Sequence, residues 1–298
     1  MAEIRKEFAK MFRRFLTDLS PELNTRYIYR KTFGRPIDLE HPRTLDEKIQ
    51  WLKLHTYRNN PLVTQCADKY RVREYVEGCG CGDILNDLYG VYDDASGIDW
   101  DALPEKFVLK WNFGCGQNFI CRDKSACDRT KVKAMLGRWK KARNTFYKEM
   151  SEMQYRGIPP KLICERLIET EDGLLPKDYK LYCFNGKPHC ALVCANRIAA
   201  GHADYYFFDR DWNLLRYNKK GQEVPEGFTL PRPEGFDRLF EYAERLAKPF
   251  PFVRADFYLE AGKVIFGELT FTPAGGFDRG RLPSTQDLFG DMLVLPSK

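Results

Sequence analysis

Apolar positions recur every three or four residues between Ile4 and Leu19, placing Ile4, Phe8, Met11, Phe12, Phe15, Leu16 and Leu19 on one helical face. Arg5, Lys6, Lys10, Arg13 and Arg14 occupy the rest of that helix. Such a basic amphipathic helix either packs on its own core or rests on a membrane surface or a partner, and the stripe alone does not separate the two. A second helix is announced by PRTLDEKIQWLKL, where Thr44 and Glu47 have the capping-box spacing and Leu45, Ile49, Trp51, Leu52 and Leu54 supply the apolar content. A third follows in ADKYRVREYV. The first hundred residues are therefore expected to be mainly helical, punctuated by loops at GCGCGD and YDDASG. From residue 105 the period shortens: EKFVLKW and NFICRD read as strands, then a long helix runs from about Asp128 to Met153, and KLICERLI, DYKLYCF, KPHCALVCA and DYYFFD read as strands again. A helix around Phe236, Leu239, Phe240, Ala243 and Leu246 precedes a last hairpin, RADFYLEAGKVIFGELTF. Strands grouped around helices, rather than alternating with them, give an α+β class and not a βαβ repeat.

That hairpin carries the sharpest chemistry. A three-residue turn at Ala261, Gly262 and Lys263 sets Asp256 opposite Glu268, so that Arg254, Asp256, Tyr258, Glu268 and Thr270 share a face. Ala255, Phe257, Leu259, Ile265, Leu269 and Phe271 then point into the core. Two facing carboxylates repel by about 1 kcal/mol unless a cation sits between them, and Mg²⁺ favours one or two carboxylates plus phosphate oxygens. The alternative is an exposed face with one acid paired to Arg254. A two-residue turn would split the acids between faces.

Composition adds bounds. With 298 residues, 43% of them hydrophobic and 14% aromatic, the chain can bury one large core or two ordinary ones. A net charge of +6, from 48 basic and 42 acidic residues, biases it mildly toward anionic ligands and is too weak to imply nucleic acid. The N-terminal stretch lacks the uninterrupted apolar core of a secretory signal, and no apolar run reaches bilayer-spanning length, so a cytoplasmic location is expected. The ten cysteines form no C-x-x-C pair and are expected to be reduced, mostly core residues. His41, His55, His189 and His202 show no metal-ligand spacing.

Three further stretches can meet a nucleotide. VLKWNFGCGQNF places Lys110 at a strand end before a loop with Gly114 and Gly116, whose backbone N–H groups could approach a phosphate; a plain hairpin turn has the same pattern. LICERLIE, from Glu165 through Arg166 and Leu167 to Ile168, could lay a backbone edge beside an adenine. Asp209 and Asp211 in DRD follow an apolar strand, as in glycosyltransferases that hold a metal-bound nucleotide-sugar, although DRDWN also reads as an ordinary turn, and the turn is favoured.

Together, PRTLDEKIQWLK, ADKYRVREYV, LPEKFVLKWNFGCGQN, LPKDYKLYCFNGKP and RADFYLEAGKVIFGELTFTPAGGF resemble the ATP-grasp superfamily, in particular its TupA-like, teichuronopeptide-biosynthesis branch from cell-surface polysaccharide loci. The resemblance implies two β-rich lobes gripping ATP, residues 101–165 and 166–298, behind a mainly helical region at 1–100. It implies that Lys110, Lys69 in a DKYR helix, and the loop Gly114, Cys115 and Gly116 hold the phosphates. Glu165 to Ile168 would be the adenine hinge. Lys180 would touch phosphate or substrate, with Lys110, Lys180 and Arg254 as the catalytic cations. Asp256 and Glu268 would be Mg²⁺ ligands, and Thr270 stands where the family's third ligand is usually asparagine. The implied chemistry is ATP-dependent amide formation through an acyl phosphate, joining an amino acid or amine to a uronic acid of a capsular or cell-wall glycan or its precursor. The expected partners are that carboxylate and amine, no nucleic acid, and a membrane or glycosyltransferase contact through the N-terminal helix. A kinase on the same fold, the Asp209/Asp211 glycosyltransferase and a non-catalytic nucleotide fold are the rivals. Arg197, Arg279 and Arg281 are available for the acceptor.

Overall fold

The structure is a computed structural model; it describes residues 1–170, 175–199 and 202–297, and the side chains of 2, 3, 197–199 and 202 are outside the description. Arg197 and His202, as side chains, therefore lie outside the described residues.

Helices α1 (Ala2–Leu19) and α2 (Pro21–Phe33) form a hairpin that turns on the extended Ser20. Helix α3 (Leu45–Leu54) starts as its sequence dictates, with the Thr44 hydroxyl accepting from Glu47 N and the Glu47 carboxylate accepting from Thr44 N at 3.2 Å. The helix expected through ADKYRVREYV holds only from Val72: α4 (Pro61–Ala67) ends at its first residue, residues 68–71 are a turn, and α5 (Val72–Gly78) takes the rest. Asp68 interrupts them: its backbone is extended, and its Oδ1 accepts from Tyr70 N and Arg71 N at 2.8 and 3.1 Å, the local bonding by which aspartate competes with helix. A strand not anticipated among the first hundred residues follows, β1 (Leu88–Tyr92).

Next come β2 (Phe107–Trp111), β3 (Asn118–Cys121) and α6 (Arg129–Phe146), the last capped by Asp128, whose side chain accepts from Lys131 N. Beyond Phe146 the expected long helix gives way to short 3₁₀ turns at Tyr147–Glu149 and Met153–Tyr155. Strands β4 (Leu162–Arg166), β5 (Asp178–Phe184), β6 (Lys187–Ala199), β7 (His202–Phe208) and β8 (Leu214–Leu215) precede α7 (Lys219–Glu223) and α8 (Phe236–Ala247). The hairpin β9 (Phe252–Glu260) and β10 (Lys263–Thr270) leads into α9 (Pro283–Met292), which the hydrophobic pattern did not announce.

The strands make two antiparallel sheets, a four-stranded one in the order β1-β4-β2-β3 and a six-stranded one in the order β10-β9-β5-β6-β7-β8. Helix α8 lays Phe236, Leu239, Phe240, Ala243 and Leu246, all buried, against β5, β6 and β9. Seven of the ten thiols are buried, as small core residues. The sheets are fastened to each other where Arg166, the last residue of β4, donates two parallel bonds to Glu260 at the end of β9, at 3.1 and 2.9 Å.

The β9–β10 hairpin corrects the expected register. Its turn has two residues, Ala261 and Gly262, both at positive φ (46° and 73°), so Glu260 faces Lys263. In that register Ile265 faces Tyr258 and Phe266 faces Phe257, which sends Phe266 rather than Ile265 to the Phe257 side. Left uninterrupted, it would put the two acids on opposite faces. A bulge at Gly267 inserts one residue, and beyond it Glu268 faces Asp256 and Thr270 faces Arg254. A Cβ at Gly267 would sit 2.9 Å from the Asp256 carbonyl oxygen, so only glycine lets the strands approach there.

Candidate active site

The two acids lie in different company. Asp256 is buried and held by three cationic bonds that leave Oδ1 a lone pair to spare: Arg254 Nε reaches Oδ1 at 2.7 Å, Arg254 Nη2 reaches Oδ2 at 2.6 Å, and Lys180 Nζ, across the β5–β9 ladder, reaches Oδ2 at 2.8 Å. Lys180 also bonds Asp178, two residues before it on the same face of β5. Burial opposes the charge on both cations, yet the Asp256 carboxylate beside them keeps Lys180 and Arg254 firmly protonated. Burial raises the Asp178 carboxyl, and Lys180 only partly offsets that.

Glu268 is the more open acid, with 38% of its side chain exposed. Its Oε1 accepts from the Thr270 hydroxyl at 3.4 Å, and its Oε2 lies 3.5 Å from Lys69 Nζ. Burial pushes its carboxyl up, but Lys69, Lys180, Arg254 and Lys110 together overcome this and bring it down to about 2. Glu268 is thus the point on which cations from both sheets and from the helical segment converge.

Lys69 stands not in a helix but in the turn between α4 and α5. Asp68 and Asn112 put it there: Asn112 Nδ2 donates to Asp68 Oδ1 at 2.8 Å, and Lys69 N donates to Asn112 O at 2.9 Å. Its ammonium then donates to the Gly114 carbonyl at 2.6 Å, holding the loop between β2 and β3 next to Glu268. Gly114 and Gly116 both have left-handed φ, 74° and 73°, and a side chain at Gly116 would meet only open space. Cys115 between them is exposed. Lys110, on β2, pairs at 2.6 Å with Glu165 on β4.

The expected adenine hinge needs adjustment. Strand β4 is internal to its sheet, with Glu165 paired to Leu88 on one side and Val108 on the other, and Arg166 N and O are bonded to Asp87 and Asn86. A free backbone edge can begin only after Arg166, at Leu167 and Ile168. The DRD segment is a turn: both carboxylate oxygens of Asp209 accept from Asn213, at 2.7 and 2.9 Å, and Trp212 takes φ 69°.

A cleft of about 600 Å³ opens beside the acids, its walls including Lys180 and Arg254, Asn218, Lys219, Lys220 and Arg281. Arg281 is committed, however: it is buried and donates to Asp46 at 2.5 Å, to Asp278 at 2.9 Å and to the Tyr182 hydroxyl at 3.2 Å. Arg279 is exposed and lines no part of the cleft. Lys219, Lys220 and Asp46 escaped sequence reasoning, because a KK pair at a short helix start and one acid among the charged residues of a helix's first turn carry no spacing signal.

Among the described residues no group of three or more His, Cys, Asp or Glu could hold a metal by itself. Glu268, with lone pairs to spare, and Asp256 form a hard-oxygen donor set that fits Mg²⁺ only when phosphate oxygens complete the shell, the arrangement this ion favours.

Two antiparallel sheets, a glycine loop with left-handed residues on one and opposed carboxylates with cations on the other, make up the architecture of an ATP-grasp protein. The chain belongs to the TupA-like ATP-grasp family, whose sequence profile matches residues 47–294. No curated protein sequence matches it. Solved structures similar to it include D-alanine–D-alanine ligase from Bacillus anthracis in complex with ATP, at 16% identity over 78% of this chain and 66% of that one, TM-score 0.45. A purK N5-carboxyaminoimidazole ribonucleotide synthetase with ADP is 14% identical over 76% of this chain and 50% of that one, TM-score 0.44. The ATP-grasp ligase PsnB with its minimal precursor is 13% identical over 83% and 67%, TM-score 0.42. The chain thus spans from half to two thirds of the length of these proteins.

Proposed function

We propose that this protein is an ATP-dependent carboxylate–amine ligase that joins an amino acid or small amine to a uronic acid carboxylate of a capsular or cell-wall glycan, or of its precursor. The observation that carries the ligase reading is the convergence of Lys69, Lys110, Lys180 and Arg254 on Glu268, beside a cleft with further lysines. The glycan rests on the resemblance to the polysaccharide-locus branch.

A carboxylate is inert toward an amine because its leaving group would be oxide; phosphorylation supplies a better one. In the reading offered, a carboxylate oxygen of the acceptor bonds to the γ-phosphorus of ATP as the bridging P–O bond breaks and ADP leaves. The amine nitrogen then adds to the acyl carbonyl, phosphate departs, and the amine's proton passes to solvent. Lys69 and Lys110 hold the phosphates, and Lys180 and Arg254 stabilise charge spreading over the transferred group. The loop at Gly114–Gly116 covers the acyl phosphate and keeps water from hydrolysing it. Leu167 and Ile168 offer backbone to the adenine. Mg²⁺, when bound by Asp256 and Glu268 with phosphate oxygens, would neutralise phosphate charge.

The test is ADP release with a uronic acid and an amine. Asp256→Asn and Glu268→Gln are each expected to cut the rate by at least about a hundredfold; the half-exposed Glu268 variant should keep its melting behaviour, whereas Asp256→Asn, which takes a buried charge from between Lys180 and Arg254, should also melt lower. Hydroxylamine in place of the amine should yield a hydroxamate. ADP release with no hydroxamate would favour a kinase, and undiminished turnover in both variants would overturn the site.

A further inference from the structure

Helix α1 is mounted with its polar side inward. Its contacts to the turn that follows α6 are polar: the Thr17 hydroxyl donates to Lys148 O at 2.7 Å, Asn24 Nδ2 donates to the same hydroxyl at 2.8 Å, Arg14 pairs with Glu149, and Asp18 pairs with Lys148 at 2.6 Å, while the Phe12 ring meets Tyr27 of α2 edge to face. Thr17 is buried, and an apolar stripe lies on the opposite side of the helix: Ile4, Phe8, Met11 and Phe15 are 74, 71, 62 and 56% exposed, and Leu19 continues the line at 61%. Phe12 and the first turn of α2, through Leu23, widen it. A helix recruited to the core by hydrophobic burial would sit the other way round.

At about 200 Å² per large side chain, these seven residues leave a patch of roughly 800 Å², above the few hundred usual on a monomer. Residues 1–33 carry eight Lys and Arg against four Asp and Glu, a net +4 out of +6 for the whole chain. Arg5, Lys6 and, on α2, Arg30 and Lys31 are exposed around the apolar line. The patch is convex and offers Phe, Met, Leu and Ile with no hydrogen-bonding group along its crest, so nothing on it would fix the register of a protein partner. A fluid apolar phase beneath an anionic surface needs no register, and it matches both the stripe and the concentrated charge. We infer that the outward face of α1, with Leu23 of α2, seats this protein on an anionic lipid bilayer, the helix lying in the plane of the headgroups.

Flotation of the full chain with vesicles of phosphatidylcholine alone, and of equal parts phosphatidylcholine and phosphatidylglycerol, tests this. The wild type is expected to float with the mixed vesicles, less so as salt is added. The double variant Phe8→Glu, Phe15→Glu should lose at least about tenfold in bound fraction at an unchanged melting temperature, since both rings are exposed. Arg5→Glu with Lys6→Glu should weaken binding to the mixed vesicles. Failure of the wild type to float with either vesicle, or binding that survives the double Phe variant, overturns the inference. So does a lowered melting temperature of that variant, which would make the face a packed one. A wild-type dimer in light scattering that the double variant renders monomeric, without vesicle binding, gives the face to a second copy instead.

Discussion

Thr270 shows how one side chain can sit between two roles. Its hydroxyl donates to Glu268 Oε1 at 3.4 Å and accepts from Arg254 Nη2 at 3.3 Å, so it links the open acid to the cation that grips the other. Thr270→Val keeps the shape and removes the oxygen; the Mg²⁺ concentration for half-maximal ADP release is expected to rise about five- to tenfold, with a smaller change in kcat. An unchanged Mg²⁺ titration would mean that the hydroxyl serves neither the metal nor Glu268. Glu268 itself stays ionised across the working range. Because its carboxyl is depressed, its favourable pairing is present above the ordinary glutamate value near 4.5 and is lost only as pH falls toward about 2. At this scale the sequence was informative where chemistry imposes residue type: Lys69, Lys110, Lys180, Arg254 and both acids are drawn together. It was silent on Asp46, which becomes a partner for Arg281 only through a contact between segments far apart in the chain.

Among the elements, the closing hairpin carries the most consequence for the least sequence signal. Alternation along β9 and β10 was plain, but one glycine in a strand does not reveal whether it is a bulge, and the pairing of the acids rests on that glycine. Gly267→Ala would bring its Cβ to 2.9 Å from the Asp256 carbonyl. We expect a loss of about 1–3 kcal/mol in urea melts and a disproportionate fall in ADP release, as Glu268 turns away from Asp256. Equal, small effects on both would mean the strands part without moving the acids. Capping and turn chemistry were legible for the opposite reason, being local: the Thr44–Glu47 box and the Asp209 turn each close within four residues. Strand β1 was not, since LYGVY has neither alternation nor a turn signal and is a strand only because β4 lies beside it.

For the whole molecule, the buried pair of Arg281 and Asp46 ties α3 to the loop that walls the cleft, and Gln286 of α9 adds a further bond to Asp46 at 2.5 Å. Arg281 was read from the sequence as available to an acceptor, but its buried guanidinium, ion-paired with Asp46 and Asp278, makes it a brace for that wall. Arg281→Ala is expected to cost about 3–5 kcal/mol, because it strands a buried carboxylate, and Asp46→Asn in the same chain should recover part of that loss. A variant that melts like the wild type but binds acceptor poorly would return Arg281 to the substrate. The glycine loop has a further consequence. Cys115 is the exposed thiol in a chain whose other cysteines are buried or half-buried, and it stands at the loop's crest between Gly114 and Gly116. The sequence therefore carries an exposed label position on the segment proposed to cover the acyl phosphate, so a fluorophore or spin label placed there without any substitution would report whether that loop moves when ATP binds.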